Sequence, residues 1–288
     1  MMIFANSKFY YWIKLLRVYQ WSKNLLIFLP LIATKQFQYG ILIDTFLLFM
    51  IFSLFLSNTY IINDIIDIKD DQKHPRKKYR PIAIGKISKK SAKIFCLVSF
   101  AFLTPLIFFN YSVNITLYFT LYILLSIFYS KIIKKIIFID LVFLVLFFLL
   151  RIYLGGEFNN IEISYWLAGF SFFLFLSLAT LKRSTELNNY NHARKYEKKH
   201  FKFLVTIGIT SSIISMIILI FYIRSDNFQN YHNENYLFYL LPIILITWLL
   251  RANYLSFKKK LIDDPILFLL KDKLSYLFFL ITLIIINS

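Results

Sequence analysis

Long apolar runs separated by short polar segments extend along almost the whole chain. An α-helix needs about 20 residues to cross the ~30 Å hydrocarbon core of a bilayer, so a run of about that length predicts a transmembrane helix. Strands are not expected, because membrane-spanning strands alternate apolar and polar residues, whereas these runs are apolar throughout. The pattern therefore predicts an all-α, polytopic membrane protein with a single domain over residues 1–288. The nine predicted transmembrane helices cover approximately residues 24–39, 41–62, 92–109, 115–130, 136–154, 165–181, 203–223, 236–253 and 266–287.

The composition agrees with this class. Hydrophobic residues make up 59% of the 288 residues, which leaves too little polar sequence to cover a water-soluble enzyme of this size. The single cysteine, Cys96, lies inside an apolar run, so a disulfide framework and a cysteine-based zinc site are excluded. The first eleven residues include Asn6, Ser7 and Lys8 and lack a long apolar stretch, so we expect no cleavable signal peptide.

Basic residues are confined almost entirely to alternate segments between the apolar runs. The chain has 33 Lys and Arg against 15 Asp and Glu, and 30 of the 33 fall in one set of segments. Cytoplasmic loops carry the excess of Lys and Arg, which predicts a cytoplasmic N-terminus and an outside C-terminus. Orientation and contact with anionic headgroups account for much of the net charge of +18, so no nucleic-acid partner is expected.

An acidic cluster marks the end of the second predicted helix. Asp64, Asp67 and Asp71 are spaced i, i+3 and i+7, with Asn63 beside them, so a continuous helix would place them on one face. Such carboxylates repel one another unless a divalent cation neutralises them, and hard oxygen ligands suit Mg²⁺. The alternative is a solvated acidic helix end. Because the cluster adjoins the bilayer in a cationic region, we favour the metal site.

A basic segment from Lys73 to Pro81 follows immediately, with two prolines bounding part of it. Lys77 and Arg80 in this segment are candidate ligands for a phosphate or diphosphate. Taken alone, these residues would be ordinary cytoplasmic charges, but their position next to a predicted Mg²⁺ site favours phosphate binding. His74 is expected to be a loop residue without a catalytic role.

Several motifs in this chain resemble a known family. The pattern Asn63-Asp64-x-x-Asp67-x-x-x-Asp71 near the end of the second of nine helices resembles the first aspartate-rich motif of the UbiA superfamily of intramembrane prenyltransferases. Further motifs resemble its decaprenyl-phosphate phosphoribosyltransferase branch: Gln20-Trp21-x-Lys23-Asn24, His74-Pro75-x-Lys77-x-x-Arg80-Pro81-Ile82-Ala83-x-Gly85, Tyr129-Ser130-x-x-x-Lys134, Arg151-x-x-x-Gly155-Gly156, Lys182-Arg183-x-x-Glu186-Leu187 and Asp264-Pro265. The similarity covers about residues 15–275.

The resemblance implies a UbiA-like helix bundle with a cytoplasmic active site. It implies Mg²⁺-dependent transfer of 5-phosphoribose from phosphoribosyl pyrophosphate to a polyprenyl phosphate such as decaprenyl phosphate, which gives a lipid-linked sugar donor for cell-envelope glycan. Besides these two substrates, the membrane is the expected partner, and a homo-oligomer is left open. The implied catalytic residues are Asp64, Asp67 and Asp71, which with Asn63 would hold the metal. The implied substrate-binding residues are Lys23, Asn63, Lys77, Arg80, Tyr129, Lys134, Lys182, Arg183 and Glu186.

One departure favours this branch over ordinary members of the superfamily. Those members carry a second aspartate-rich motif after the sixth helix, where this chain has Lys182, Arg183 and Glu186. Two alternatives stay open: prenyl transfer to an aromatic acceptor such as 4-hydroxybenzoate, and a transporter or channel. Lys182 and Glu186 could equally form a simple ion pair. Tyr129 could equally be an interfacial tyrosine.

Other charged residues receive structural interpretations. Arg151 lies within the fifth predicted helix, where it is expected to be structural. Asp140 is either an acid that supports the site or a helix N-terminal residue favoured by the dipole. The aspartates near the last helix are placed outside the site and could pair with Lys271 and Lys273; they are Asp263, Asp264 and Asp272.

Overall fold

The computed structural model describes residues 7–73, 77–190, 195–232, 235–258, 268 and 272–287. In these ranges the α-helices, numbered in chain order, are α1 (Lys8–Leu16), α2 (Leu29–Ala33), α3 (Tyr39–Ile66), α4 (Ile68–Lys73), α5 (Lys89–Asn110), α6 (Val113–Lys131), α7 (Ile139–Phe158), α8 (Tyr165–Tyr190), α9 (Phe201–Arg224), α10 (Asp226–Gln229), α11 (Leu240–Phe257) and α12 (Lys273–Asn287). The described 3₁₀ helices are Val18–Phe28, Lys77–Tyr79, Ile133–Lys135, Lys198–His200 and Tyr236–Tyr239.

Seven of the described helices are long and apolar enough to cross a membrane: α3, α5, α6, α7, α8, α9 and α11. These seven coincide with the second to eighth predicted runs. The all-helical class is therefore confirmed. The predicted number of nine transmembrane helices is not confirmed by the residues that the structure describes.

The first predicted helix, over residues 24–39, is not one continuous α-helix. Its first part belongs to the 3₁₀ helix Val18–Phe28, and its second part is the short helix α2. Pro30 lies in the first turn of α2 and has no backbone N–H to donate. Proline is tolerated in the first turn of an α-helix but breaks a helix interior, so a new helix starts here and residues 24–39 do not form one α-helix. Lys35, with φ of 49°, follows the end of α2 in the left-handed region. The ninth predicted helix is represented by the 15 residues of α12.

The described chain divides into two compact units. Unit 1 takes described residues of 1–27 and 38–126, and unit 2 takes those of 28–37 and 127–288. Each is described by itself below. The predicted single domain stays a prediction.

In unit 1, the centre of the packing is α3. Its residues Ser53, Ser57 and Asn58 are buried, as polar side chains within membrane helices usually are. Asn24 of the 3₁₀ helix donates to Ser53 Oγ at 2.9 Å, and Trp21 donates to Ser57 Oγ at 3.1 Å. Asn58 donates to Ser99 Oγ of α5 at 2.9 Å. These hydrogen bonds fix the neighbouring segments against α3, and edge-to-face ring contacts such as Phe52–Phe119 join α3 to α6.

In unit 2, α8 and α9 approach each other closely. A side chain added at Gly208 of α9 would lie 2.8 Å from Thr180 Oγ1 of α8, and the hydroxyl groups of Ser177 and Ser212 are 2.7 Å apart. Small residues let membrane helices come this close, because they keep side chains out of the interface. In the same unit α7 lies beside α8, and α11 lies beside α9. Residues of α8, α9 and α11 form an apolar core that includes Trp248.

Candidate active site

Two aspartates and two arginines form a buried ion cluster in unit 1. Arg80 Nη1 donates to Asp64 Oδ1 at 2.9 Å and to Asp71 Oδ2 at 2.7 Å, and Arg17 pairs with the same oxygen of Asp64. Both carboxylates are only 2% exposed. A carboxylate with so little access to water needs a counter-charge. Two guanidinium groups facing two carboxylates supply it.

The acidic pair forms where α3 gives way to α4. The helix is interrupted at Asp67, whose backbone N–H donates to the Asn63 carbonyl at 2.9 Å, and the Asp71 N–H donates to the Asp67 carbonyl at 2.8 Å. The three aspartates thus do not lie on one continuous helix, unlike the arrangement that their spacing suggested. Asp64 and Asp71 converge on Arg80. Asp67 is half-buried at the junction and takes no part in the ion pairs described for this cluster.

The predicted metal site is therefore not preassembled as a set of three carboxylates. Within the described ranges, no group of three or more His, Cys, Asp or Glu side chains is close enough to hold a metal ion. Asp64 and Asp71 instead hold one nitrogen of Arg80 between them. The assignment of Asp64, Asp67, Asp71 and Asn63 to a metal stays a prediction.

Arg17 is a member of this cluster that the sequence did not reveal. It ends α1 with φ of 52°, and its backbone N–H caps the helix by donating to the carbonyls of Ile13 and Lys14. Its side chain crosses the ring of Tyr60 at 5.0 Å from the ring centroid before reaching Asp64. In the sequence it is one of many cations that are predicted to be cytoplasmic, and it lies 47 positions from its partner. Only the need of a buried Asp64 for a counter-charge points to such a residue.

The other predicted site residues of unit 1 lie around the same elements. Asn63 is half-buried in the last turn of α3, one position before Asp64. Lys77 is exposed in a 3₁₀ turn whose first carbonyl accepts the Arg80 N–H at 2.9 Å. Lys23 is half-buried in the 3₁₀ helix that Trp21 and Asn24 fix to α3. The turn thus fixes the backbone position from which Arg80 reaches the acidic pair.

A second buried ion cluster lies in unit 2, around Arg183 of α8. This arginine is 1% exposed; its Nε donates to Asp140 Oδ2 at 2.8 Å and its Nη1 donates to Glu186 Oε2 at 2.6 Å. Its Nη2 lies 3.5 Å from the hydroxyl of Tyr129. Three predicted residues, Tyr129, Arg183 and Glu186, are therefore brought together. The sequence left two roles open for Asp140, an acid that supports the site or a helix N-terminal residue. In the structure it is buried and is the counter-ion of Arg183.

Tyr196 belongs to this second cluster and was not foreseen. Its hydroxyl donates to Asp140 and accepts the backbone N–H of Phe138 at 2.9 Å. Burial and the hydrogen bond to Asp140 raise the pKa of Tyr196 above its ordinary value, so it stays a hydrogen-bond donor at neutral pH. Tyrosine is common near membrane interfaces, and nothing in the sequence distinguishes this one.

The remaining predicted residues of unit 2 have individual positions. Lys182 is half-buried beside Arg183, and Lys134 is half-buried in the 3₁₀ turn after α6. Arg151 is buried in α7, where it donates to the Phe147 carbonyl, in line with a structural role. Asp272 pairs with Arg251, at 2.8 and 2.9 Å, because the planar guanidinium group of α11 matches both carboxylate oxygens. Lys271, the other suggested partner beside Lys273, lies outside the described residues.

Some predictions fall outside the described residues. These are the loop role of His74, the neighbouring Pro75 and Arg76 of the basic segment, and the positions of Asp263, Asp264 and Pro265.

Comparison with known proteins identifies several proteins of similar sequence. It is 34% identical to "Uncharacterized protein y4nM" of Sinorhizobium fredii, over 92% of this chain and 53% of that protein. It is 24% identical to "Nodulation protein NoeC" of Azorhizobium caulinodans, over 89% of this chain and 85% of that protein. It is 29% identical to decaprenyl-phosphate phosphoribosyltransferase of Corynebacterium glutamicum, over 70% of this chain and 65% of that enzyme. The chain thus spans only about half the length of y4nM.

The fold is shared with a solved structure. A UbiA homolog from Archaeoglobus fulgidus, bound to GPP and Mg²⁺, superimposes with a TM-score of 0.65 over 96% of this chain and 100% of that chain, at 17% identity. The sequence model of the UbiA prenyltransferase family matches residues 26–281, which is most of the chain. The seven apolar helices described above are those of a multi-pass membrane protein. The chain therefore belongs to the UbiA prenyltransferase family of membrane enzymes.

Proposed function

We propose that this protein transfers 5-phosphoribose from phosphoribosyl pyrophosphate to a polyprenyl phosphate and depends on Mg²⁺. The similarity to decaprenyl-phosphate phosphoribosyltransferase over 70% of the chain supports the substrate pair. The observation that carries the proposal is the buried pair Asp64 and Asp71, held against two arginines in unit 1. Carboxylates for a metal and guanidinium groups for phosphates are the two components that a diphosphate donor requires.

The donor set of this cluster suits Mg²⁺. Two carboxylate oxygens, from Asp64 and Asp71, lie within 3 Å of one point that Arg80 Nη1 fills. Mg²⁺ binds carboxylate oxygens and keeps several waters, so it does not need a complete cage of protein ligands. Asp67 and Asn63, at the adjoining helix junction, are the further candidates to hold it. When bound, Mg²⁺ would neutralise charge on the departing diphosphate.

The arginines would then bind substrate. Because Arg17 and Arg80 neutralise the two aspartates here, a cation that took the carboxylates would release both guanidinium groups to hold the donor's phosphates. Guanidinium groups bind phosphate oxygens in a bidentate manner. Lys77, exposed in the turn before Arg80, would add a further positive charge. These residues orient the donor and stabilise the leaving diphosphate.

The reaction itself exchanges one bond at the ribose. The bond between the anomeric carbon and the diphosphate oxygen breaks, a phosphate oxygen of the lipid forms the new bond, and diphosphate leaves. The lipid phosphate is already an anion, so no strong general base is needed. This is consistent with a cluster of ion-paired carboxylates rather than a lone base beside a nucleophile.

The second ion cluster supports the same choice of substrate. The segment of α8 that would carry a second aspartate-rich motif in ordinary members of the family carries Arg183 and Glu186, which are already paired. Arg183 also joins α8 to α7 through Asp140. Substrate binding by Tyr129, Lys134, Lys182, Arg183, Glu186 and Lys23 stays a prediction. The product would be a lipid-linked sugar donor for cell-envelope glycan, made at the cytoplasmic face of the inner membrane.

A substrate assay tests this function directly. Purified protein in detergent with Mg²⁺, labelled phosphoribosyl pyrophosphate and polyprenyl phosphate should yield a labelled lipid and free diphosphate. Omission of Mg²⁺ should abolish the product. If prenylated 4-hydroxybenzoate formed from a prenyl diphosphate instead, and no labelled lipid appeared, the proposal would be wrong.

Asp67 offers the sharpest variant, because it is outside the described ion pairs. Asp67→Asn should lower turnover at least about 100-fold and leave the melting temperature unchanged, since it removes a proposed metal ligand without breaking a salt bridge. Asp70→Asn, at an exposed neighbour, is the matched control and should keep full activity. Full activity of Asp67→Asn would remove Asp67 from the metal site. Asp64→Asn should abolish turnover and also lower stability, because it removes the charged partner of Arg17 and one of the two charged partners of Arg80.

A further inference from the structure

A small cavity lies in unit 2 at the ends of two apolar helices. It has a volume of about 220 Å³ and lies where α9 ends at Arg224 and the next apolar segment begins at Tyr236. Its described lining is mainly aromatic and aliphatic and includes Ile223, Phe228 and Phe238. Three further lining side chains are polar: Gln229, His232 and Asn235. Tyr236 and Tyr239 complete the described lining. None of these side chains belongs to the ion clusters described above.

His232 gives this cavity its chemistry. The residue is 3% exposed, and its ring stacks on Phe228 at 4.1 Å between centroids, with Phe238 edge-on at 5.0 Å. Its Nε2 lies 3.1 Å from the Ala33 carbonyl, which can only accept, so Nε2 carries the proton. Nδ1 then presents a lone pair, and this atom is buried without a hydrogen-bond partner among the residues that the structure describes.

An unsatisfied acceptor of this kind can accept a hydrogen bond from a bound molecule. Leaving a buried polar atom unpaired destabilises the protein, and a bound donor removes that cost. Burial, together with the positive charge of Lys35, lowers the pKa of His232, although the Ala33 hydrogen bond acts against this, so the ring stays neutral and Nδ1 stays an acceptor. The ligand must therefore bring a hydroxyl or an N–H group.

Two cations near the cavity favour a hydroxyl donor over a charged N–H donor. Lys35 Nζ lies 5.7 Å from the ring centroid of Phe238, and Arg224 Cζ lies 5.9 Å from that of Tyr239. Neither an Asp nor a Glu is among the described lining residues. A ligand with an ammonium donor would be repelled by these cations, whereas an anionic ligand with hydroxyl groups would be attracted. The aromatic lining at the helix ends is typical of the level of lipid headgroups.

We propose that this cavity binds the headgroup of an anionic phospholipid that carries hydroxyl groups, with a headgroup hydroxyl donating to His232 Nδ1. Arg224 and Lys35 attract its phosphate, and the tyrosines hold the glycerol region. The site is independent of the transfer reaction proposed above. By the distribution of basic residues it would face the outer leaflet.

Native mass spectrometry of the purified full-length protein tests the proposal. Phosphatidylglycerol, phosphatidylethanolamine and phosphatidylcholine of equal chain length are added separately in detergent. Retention of one phosphatidylglycerol per chain is expected at about tenfold lower lipid concentration than for the other two. Equal retention of the three lipids would overturn the proposal. Competition by free glycerol phosphate as strong as by the lipid would show a phosphate site rather than a lipid site, and would also overturn it.

Two variants distinguish a loss of lipid binding from a loss of folding. In His232→Gln, the side-chain amide can still donate to the Ala33 carbonyl, while the acceptor equivalent to Nδ1 is lost, so retention of phosphatidylglycerol should weaken about fivefold to tenfold. Arg224→Gln should weaken it to a similar extent and covers the case in which His232→Gln fails to fold. Lys258→Gln, which removes a cation 5.8 Å from the Tyr254 ring, is the matched control. Unchanged lipid preference in both test variants would contradict the site.

Discussion

The buried charges of the two ion clusters are balanced by partners within the same unit. Asp64 and Asp71 face Arg17 and Arg80 in unit 1, while Arg183 faces Asp140 and Glu186 in unit 2. The sequence identified most of these residues, because acidic residues at the end of an apolar helix are rare and noticeable. It did not identify the pairs, since partners up to 47 positions apart are joined only by the fold.

The Arg251–Asp272 pair gives a prediction for the pH dependence of stability. The hydrogen bonds from Arg251 are the main reason that the pKa of Asp272 falls to about 2 from its ordinary 3.8. A carboxyl whose pKa is lower in the folded state stabilises the protein above its unfolded pKa. That contribution is lost as the pH falls from about 4 towards 2. Because the pair is partly exposed, we expect it to contribute about 1 kcal/mol.

Asp272→Asn measures this contribution. The melting temperature of the variant should lie below that of the parent at pH 6, and the difference should shrink as the pH falls from 4 to 2.5. Asp70→Asn, at an exposed aspartate, should show a much smaller difference over the same range. A difference for Asp272→Asn that stayed constant from pH 6 to pH 2.5 would show that Arg251 does not stabilise the ionised carboxyl.

At the scale of the elements, the second to eighth apolar runs predicted transmembrane helices well, whereas the first run did not form one continuous α-helix. The seven runs that match α3, α5 to α9 and α11 are apolar enough that a bilayer leaves a helix as the only way to satisfy their backbone. Residues 24–39 contain Pro30, so their conformation depends on contacts such as Asn24 with Ser53. The break at Asp67 was likewise invisible, because its residues are compatible with a continuous helix.

The close approach of α8 and α9 predicts an unusual sensitivity at Gly208. Gly208→Ala should lower stability by about 1–3 kcal/mol, because its Cβ would lie 2.8 Å from Thr180 Oγ1. Thr180 cannot turn away freely, since its hydroxyl donates to the carbonyls of Leu176 and Ser177. Melting temperatures in detergent measure the effect.

A second glycine in the same helix pair is the control. At Gly169, an added Cβ would meet Ile218 at an ordinary distance of 3.6 Å, so Gly169→Ala should be neutral or slightly stabilising. Adding Thr180→Ala to Gly208→Ala should restore part of the lost stability. If the two alanine variants melted alike, steric contact at Gly208 would not explain the helix spacing.

At the scale of the whole molecule, the distribution of basic residues predicts the orientation. The turn Lys77–Tyr79 should be cytoplasmic and the segment after α9 should be outside. The single native cysteine is buried, so replacing it by Cys96→Ala gives a background for labelling. In that background, an impermeant maleimide should label Asn230→Cys in intact cells and Lys78→Cys only after the membrane is opened. Labelling of Lys78→Cys in intact cells would reverse the predicted topology.

The sequence by itself determined the class of this protein: a basic, multi-pass helical membrane protein with a UbiA-type acidic motif. It could do so because hydrophobic length, charge asymmetry and local motifs are properties of contiguous residues. The tertiary structure decided which charges neutralise one another, namely Arg80 between Asp64 and Asp71 and Arg183 between Asp140 and Glu186. It also left His232 Nδ1 without a described partner beside a cavity. Pairing of buried charges depends on distances between segments far apart in the chain, and no local pattern records those distances.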